Sequence, residues 1–183
     1  MRFSPTDLPG VFLIELEMHV DERGSFARSF CVDEFAEAGI DFEVVQGNVS
    51  FTKFTGTVRG IHFQAPPHAE ARVVRCTSGA LFDVVVDLRP DSKAYGKWIG
   101  AELSADNRRA MYLPKGCAHG FQTLLDDTEV SYLMSERYVP EAAAGVRFDD
   151  PCIGINWPLE VSSVSERDRN WPDFGSHAGA TAP

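Results

Sequence analysis

The chain has no Cys-x-x-Cys pair: its four cysteines, Cys31, Cys76, Cys117 and Cys152, are scattered singly. That spacing suits neither a redox motif nor a structural zinc site, and reads as reduced thiols in a cytoplasmic protein. No long hydrophobic run is present. Phe12-Leu13-Ile14 is the heart of an N-terminal apolar stretch far too short to cross a bilayer, and no signal-peptide pattern precedes it. Positive charge is in deficit, with 17 Lys and Arg against 27 Asp and Glu and a formal net charge of -10. That balance argues against a nucleic-acid surface or an anionic membrane, but leaves room for a phosphorylated ligand held by a few local arginines. The GxxxxGK[ST] loop, the strand-GxGxxG-helix fingerprint and the GxSxG elbow are all missing, which removes the usual phosphate loops, dinucleotide folds and serine-hydrolase chemistry. No internal repeat or low-complexity linker divides the chain.

What is present is a β-rich pattern. Thirteen Phe and 11 Pro beside 15 Gly suit many short strands and turns. Strands are expected at Gly10 to Leu16, Arg59 to Gln64, Arg72 to Thr77, Ala80 to Leu88, Trp98 to Leu103, Ala110 to Leu113, Cys117 to Gln122 and Glu129 to Met134. Turns are expected at Asp21 to Phe26, Ser78-Gly79 and Pro114-Lys115-Gly116, and a short helix at Asp33 to Gly39. Residues 1–174 are expected to form one domain, with 175–183 a frayed tail. The sum is an all-β sandwich or barrel.

Within Ala80 to Leu88, Phe82, Val84, Val86 and Leu88 share one face, and Asp83, Val85 and Asp87 the other. The two aspartates are read as solvated in preference to lining a polar cavity. The densest chemistry lies in Arg59-Gly60-Ile61-His62-Phe63-Gln64. His62 can exchange a proton near neutrality, and Arg59 offers a planar fork of donors to an oxyanion. Strand period places them on opposite faces; both reach one cavity only if Gly60 marks a bulge. A metal centre would need converging imidazoles and carboxylates. Gln64 stands where a His-x-His pair would be completed, His68 is in a turn, and His119 is on what reads as a distant strand. No metal is therefore expected. Arg23, Gln46, Asn48, Arg59, His62, Arg72, His119, Tyr132, Tyr138 and Asp168 remain as single polar residues spread over several strands, a toolkit for proton transfer. Tyr132 reads equally well as a half-buried strand aromatic.

Five motifs carry a resemblance. They are the Arg59 to Gln64 segment, Asp83-Val84-Val85-Val86-Asp87-Leu88-Arg89, Tyr95-Gly96-Lys97-Trp98, Leu113-Pro114-Lys115-Gly116-Cys117-Ala118-His119-Gly120-Phe121 and Asp149-Asp150-Pro151. In this order they resemble the dTDP-4-dehydrorhamnose 3,5-epimerase family, the match running to about Pro172. The resemblance implies a cupin-type jelly roll (double-stranded β-helix) with short peripheral helices, a homodimer, no metal and no redox cofactor. It implies a nucleoside-diphosphate 4-keto-6-deoxyhexose as substrate, inverted at C3 and C5, or at C3 alone, through an enolate. His62 matches the base, Asp168 the carboxylate that orients it, and Tyr132 the acid. Arg59 and Arg72 match the enolate-side charges, and His119 and Arg23 hold the substrate, Arg23 on the diphosphate of its own or of a partner subunit's site. Gln46 and Asn48 match nucleotide-side contacts and Tyr138 a second tyrosine of the site; Phe26, Arg28 and Arg167 also fall at substrate-side positions.

Four positions depart from the family pattern: Arg28 and Ala143 stand where glutamate is usual, and Arg72 and Arg167 where lysine is usual. Arg72 keeps the charge but gives up lysine's ability to lose a proton. Glu to Arg at position 28 turns an acceptor into a donor. The donor N3–H of thymine wants an acceptor and the acceptor N3 of cytosine wants a donor, so CDP stands beside dTDP as an expected carrier. A sugar-nucleotide 3,4-ketoisomerase and a non-catalytic nucleotide-sugar binding module are the competing readings.

Overall fold

The computed structural model describes residues 1–175. In chain order the strands are β1 (Arg2–Pro5), β2 (Phe12–Glu15), β3 (His19–Asp21), β4 (Gly24–Phe26), β5 (Gln46–Thr52), β6 (Thr57–Gln64), β7 (Arg72–Ser78), β8 (Ala80–Asp87), β9 (Trp98–Ser104), β10 (Ala110–Leu113), β11 (Cys117–Thr123), β12 (Thr128–Met134), β13 (Ala143–Gly145) and β14 (Ser163–Val164). Two short helices join them, α1 (Val32–Glu37) and α2 (Glu166–Arg169). One sheet runs β1-β2-β10-β7-β12-β5 and a second runs β13-β6-β11-β8-β9, with β14 beside β6. From β5 to β13, apart from the β8–β9 hairpin, consecutive strands alternate between the sheets, so the chain winds a jelly roll: the pattern led one to expect a sandwich or barrel, and the resemblance this form of it.

Both faces of each sheet are largely covered, the outer face at β5, with Val49 and Phe51 exposed, being left open. Val74, Met111, Leu113 and Val130 of the first sheet meet Leu81, Val85, Leu103 and Phe121 of the second in the inter-sheet core. The outer face of the first sheet packs Ile14, Val73 and Tyr112 under Phe35 of α1, with Ile40 and Phe42. The outer face of the second packs Ile61, Val84, Val86 and Ala118 under Val146 and Ile153, with Trp157 and Phe174 beside them. The segment after β12, which carries β13, β14 and α2, supplies this third layer.

That covering overturns the solvated reading of Asp83 and Asp87, both of which are 0% exposed. On β8 the apolar face of Val84 and Val86 is buried under the C-terminal layer. The alternate face, carrying Leu81 and Val85, is the barrel interior, and the aspartates go inside with it. Alternation fixes which residues share a face, but not whether the polar face meets water. Asp87 is satisfied there by the guanidinium of Arg89 at 2.7 Å and the hydroxyl of Ser92 at 2.6 Å. Burial works to raise its pKa, but these donors outweigh it and hold the carboxyl below the usual range.

The expected α1 and the eight expected strands are present, within two or three residues at their ends. β1, β5, β13 and β14 are additional. Gln46 and Asn48, two of the single polar residues, lie on β5, an edge strand hydrogen-bonded to β12. The expected turn at Asp21 to Phe26 is the second half of the β3–β4 hairpin. Apart from Gly175, the expected tail lies outside the described residues.

Candidate active site

The site begins with one misfit between neighbouring strands. On β6 and β11 the pairs are His62 with His119 and Arg59 with Phe121, so Gly60 and Ile61 together oppose Gly120 alone. Gly60 has φ 124°, and a Cβ there would lie 2.5 Å from the Cα of Gly120. Glycine is what this bulge requires. The extra residue lets Ile61 turn into the outer core while Arg59 and His62 line the same cleft. The condition set by the sequence is met.

That cleft lies between the sheets and has two lobes, of about 290 Å³ and about 460 Å³. His62, Arg72, Tyr132 and Arg167 line both, so the lobes are continuous. Gln46, Asn48, Glu70, Tyr138 and Ala143 belong to the first lobe. Arg59, His119 and Asp168 belong to the second. His62 comes from β6 of the second sheet and Tyr132 from β12 of the first, so imidazole and phenol stand on facing walls.

Asp168 reaches His62 from the far end of the chain. β14 pairs in parallel with the start of β6, bringing α2 beside it. Ser165 caps that helix, its hydroxyl accepting the Asp168 N–H at 3.1 Å. One carboxylate oxygen of Asp168 lies 2.5 Å from Nε2 of His62, and the other accepts the Gly60 N–H at 3.2 Å. Burial pushes the Asp168 pKa up, but the His62 bond and charge, with the Gly60 and Ser165 bonds, prevail and hold it below the ordinary carboxylate value. An ionised carboxylate only accepts, so the His62 proton sits on Nε2 and the lone pair is on Nδ1.

His119 is not distant. It is the register partner of His62, and its Nε2 donates to Asp83 at 2.7 Å. Its Nδ1 lies 3.5 Å from Nη1 of Arg72, and arginine has no acceptor to offer, so Nδ1 must accept. Arg72 is clamped by Glu70, which takes Nε at 3.0 Å and Nη2 on the same oxygen. The other Glu70 oxygen and Oδ2 of Asp83 are buried with no hydrogen-bond partner among the described residues. Arg59 is held by Thr52 at 2.8 Å and the Phe51 carbonyl at 3.1 Å. On the opposite side Gln46 binds Asn48 at 3.1 Å and accepts the Tyr138 N–H at 3.1 Å.

Three expected residues are not brought to the cleft of their own chain. Arg23 pairs with Asp21 at 2.6 Å, Arg28 pairs with Glu34 at 2.8 Å, and Phe26 is 73% exposed, all on or just beyond the β3–β4 hairpin. Glu70, Asp83 and Trp171 are participants that sequence reasoning missed. Glu70 and Asp83 carried a signal, being acids at alternate positions from Arg72 and within a strand. Trp171 carried none beyond following Asp168. Among the described residues no cluster of His, Cys, Asp and Glu is arranged to hold a metal, and no helix is long and apolar enough to cross a membrane.

Two facing sheets with a polar cleft between them define a cupin-type barrel whose lining offers paired imidazoles, carboxylates, arginines and a phenol. The family model described as dTDP-4-dehydrorhamnose 3,5-epimerase matches residues 5–176, and this chain belongs to that family of isomerases. It is 45% identical to the dTDP-4-dehydrorhamnose 3,5-epimerase of Methanothermobacter thermautotrophicus, covering 93% of this chain and 92% of the relative. It is 43% identical to the dTDP-4-dehydrorhamnose 3-epimerase of Streptomyces niveus, covering 93% and 82% respectively. The crystal structure of the Bacillus anthracis 3,5-epimerase with TDP and PPi bound superposes with a TM-score of 0.92 at 38% identity, covering 94% of this chain and 99% of that one.

Proposed function

We propose that the protein inverts C3 and C5 of a thymidine-diphosphate 4-keto-6-deoxyhexose by acid–base catalysis across the inter-sheet cleft. The observation that carries this reading is His62, braced by Asp168 on one wall, with Tyr132 on the facing wall of the same continuous space. The C4 ketone acidifies the neighbouring C–H bonds. Nδ1 of His62 takes the C3 proton, and the bonding pair moves into the C3–C4 bond while the carbonyl oxygen gains negative charge. Arg72 stabilises that oxygen; it cannot give up its own proton, so it serves by charge alone. The Tyr132 hydroxyl returns a proton to the opposite face of C3, the electron pair swings back, and the ketone re-forms with the carbon inverted. The second inversion repeats these steps at C5 once His62 has released its proton to solvent and Tyr132 has taken one up from it. Asp168 keeps the imidazole in the required tautomer and stabilises its protonated form.

The relatives named above are named for dTDP-linked sugars, which favours dTDP over CDP. The exposed hairpin, with Val20 76% and Phe26 73% exposed, supports a homodimer in which the second copy brings Arg23, Phe26 and Arg28 to the nucleotide. Unpaired cysteines support a cytoplasmic setting. Turnover of matched dTDP- and CDP-linked 4-keto sugars in deuterated water, read by NMR, tests the reading. It expects preference for dTDP and deuterium at both C3 and C5. Deuterium at C3 alone assigns a 3-epimerase, and preference for CDP overturns the nucleotide assignment.

A further inference from the structure

Trp171 lies outside the set of residues assigned above, yet it touches three parts of the site. Its indole Nε1 donates to Asp168 at 3.3 Å, on the same oxygen that meets His62. Its ring stands edge-on to the His62 imidazole, with centroids 6.1 Å apart and planes at 68°. The guanidinium of Arg167, which lines both lobes of the cleft, lies 5.0 Å from the centre of the indole. The place for this ring is built into the sheet. Gly145, the register partner of His62 on β13, is where the indole packs, and a Cβ there would lie 2.6 Å from Nε1.

We propose that Trp171 is a positioning residue that couples the substrate-side Arg167 to the His62–Asp168 pair. The face of the ring is a shelf that holds the guanidinium over the cleft. The edge of the ring takes a share of the carboxylate oxygen that His62 also uses. Two donors on one oxygen compete, so the indole N–H weakens the hold of Asp168 on a protonated His62 and lets the imidazole return to its neutral, proton-accepting form more readily. The charged and titratable groups lining the cleft with His62 are Asp168 and Arg167 from α2, Arg59 from its own strand, Arg72 from β7 with Glu70 just before it, His119 from β11, and Tyr132 from β12 with Tyr138 beyond it. Of these, Asp168 is the group whose interaction with the ring the indole N–H adjusts directly.

This inference rests on the acid–base reading of His62, and its test has a part that does not. Trp171→Phe keeps an aromatic shelf and removes only the N–H. The expected result is an upward shift of roughly half a pH unit in the midpoint of the His62 ring, followed by NMR in the free protein, with the same shift in the acid limb of kcat/KM. Its KM for the dTDP-linked 4-keto sugar should stay at the wild-type value. Trp171→Ala also removes the shelf, and should add a roughly two- to five-fold rise in KM. A His62 midpoint that does not move in Trp171→Phe overturns the coupling, as does a KM that does not move in Trp171→Ala. Wild-type protein that turns over no nucleotide sugar refutes the proposed function instead, and leaves the ring titration to decide the hydrogen-bonding claim by itself.

Discussion

Replacing Gly60 by alanine should damage this protein twice, once in stability and once in activity, and a second glycine separates the causes. Gly60 and Gly24 both have strongly positive φ, 124° and 131°. At Gly24 a Cβ would meet nothing within 4 Å, whereas at Gly60 it would lie 2.5 Å from the Cα of Gly120 and 2.9 Å from the His119 carbonyl. Both substitutions therefore incur backbone strain of about 1–3 kcal/mol. Only Gly60→Ala adds the overpacking, about 1–3 kcal/mol, because the atoms it meets are backbone and cannot swing aside. For a domain of this size each kcal/mol is worth roughly 2–4 °C, so Gly60→Ala should melt roughly 4–24 °C below wild type and clearly below Gly24→Ala. In the fraction that stays folded, relief of the clash moves β6 against β11 and carries His62 or Arg59 off the cleft, so kcat should fall more than KM changes. Thermal melts of the two variants with steady-state kinetics on the folded protein are the assay. Equal melting points for Gly24→Ala and Gly60→Ala would refute the reasoning that a close backbone approach makes this bulge.

Arg72→Ala strands Glu70, which is 3% exposed, without its guanidinium; it should cost about 3–5 kcal/mol in denaturant unfolding, and Arg72→Ala with Glu70→Ala together should cost less than the sum of the two. Asp168 has a folded pKa below its unfolded value, so its contribution is present above the unfolded value and is lost as pH falls through the folded one. Stability measured from pH 7 down through about pH 4 and below should therefore fall more steeply in wild type than in Asp168→Asn. Burial pushes the thiols of Cys76 and Cys117 up to about 11 and about 12, while Cys152 is exposed. Alkylation of native protein at pH 8 followed by mass spectrometry should modify Cys152 and spare those two until the chain unfolds.

Much of this architecture was legible in the sequence because strand alternation and turn residues are local signals. β8 shows both their reach and their limit: the pattern assigned every side chain to its face, yet placed Asp83 and Asp87 in water, because it cannot reveal a third layer arriving from residues 146 to 174. The role of Gly60 was legible as a condition, since a strand with His and Arg of opposite parity needs one extra residue to aim both inward. The closeness of His119 to His62 was not legible, because it depends on which strands become neighbours across 57 positions of chain. Trp171 escaped for the same reason: its partners Gly145 and His62 are adjacent only once β13 has paired with β6. Phe26 and Arg28 followed from resemblance alone and Arg23 from the set of single polar residues as well, and the fold of one chain leaves all three outside its own cleft.

The central claim is a division of labour across the cleft, with His62 removing a proton from one face and Tyr132 supplying one to the other. Solvent deuterium wash-in at C3, measured together with inversion, tests it most directly in His62→Ala and Tyr132→Phe. The account predicts that His62→Ala loses both exchange and inversion by about 10²–10⁴-fold. It predicts that Tyr132→Phe still exchanges the C3 proton while inversion is lost. Inversion at the wild-type rate in Tyr132→Phe, or undiminished exchange in His62→Ala, would contradict it.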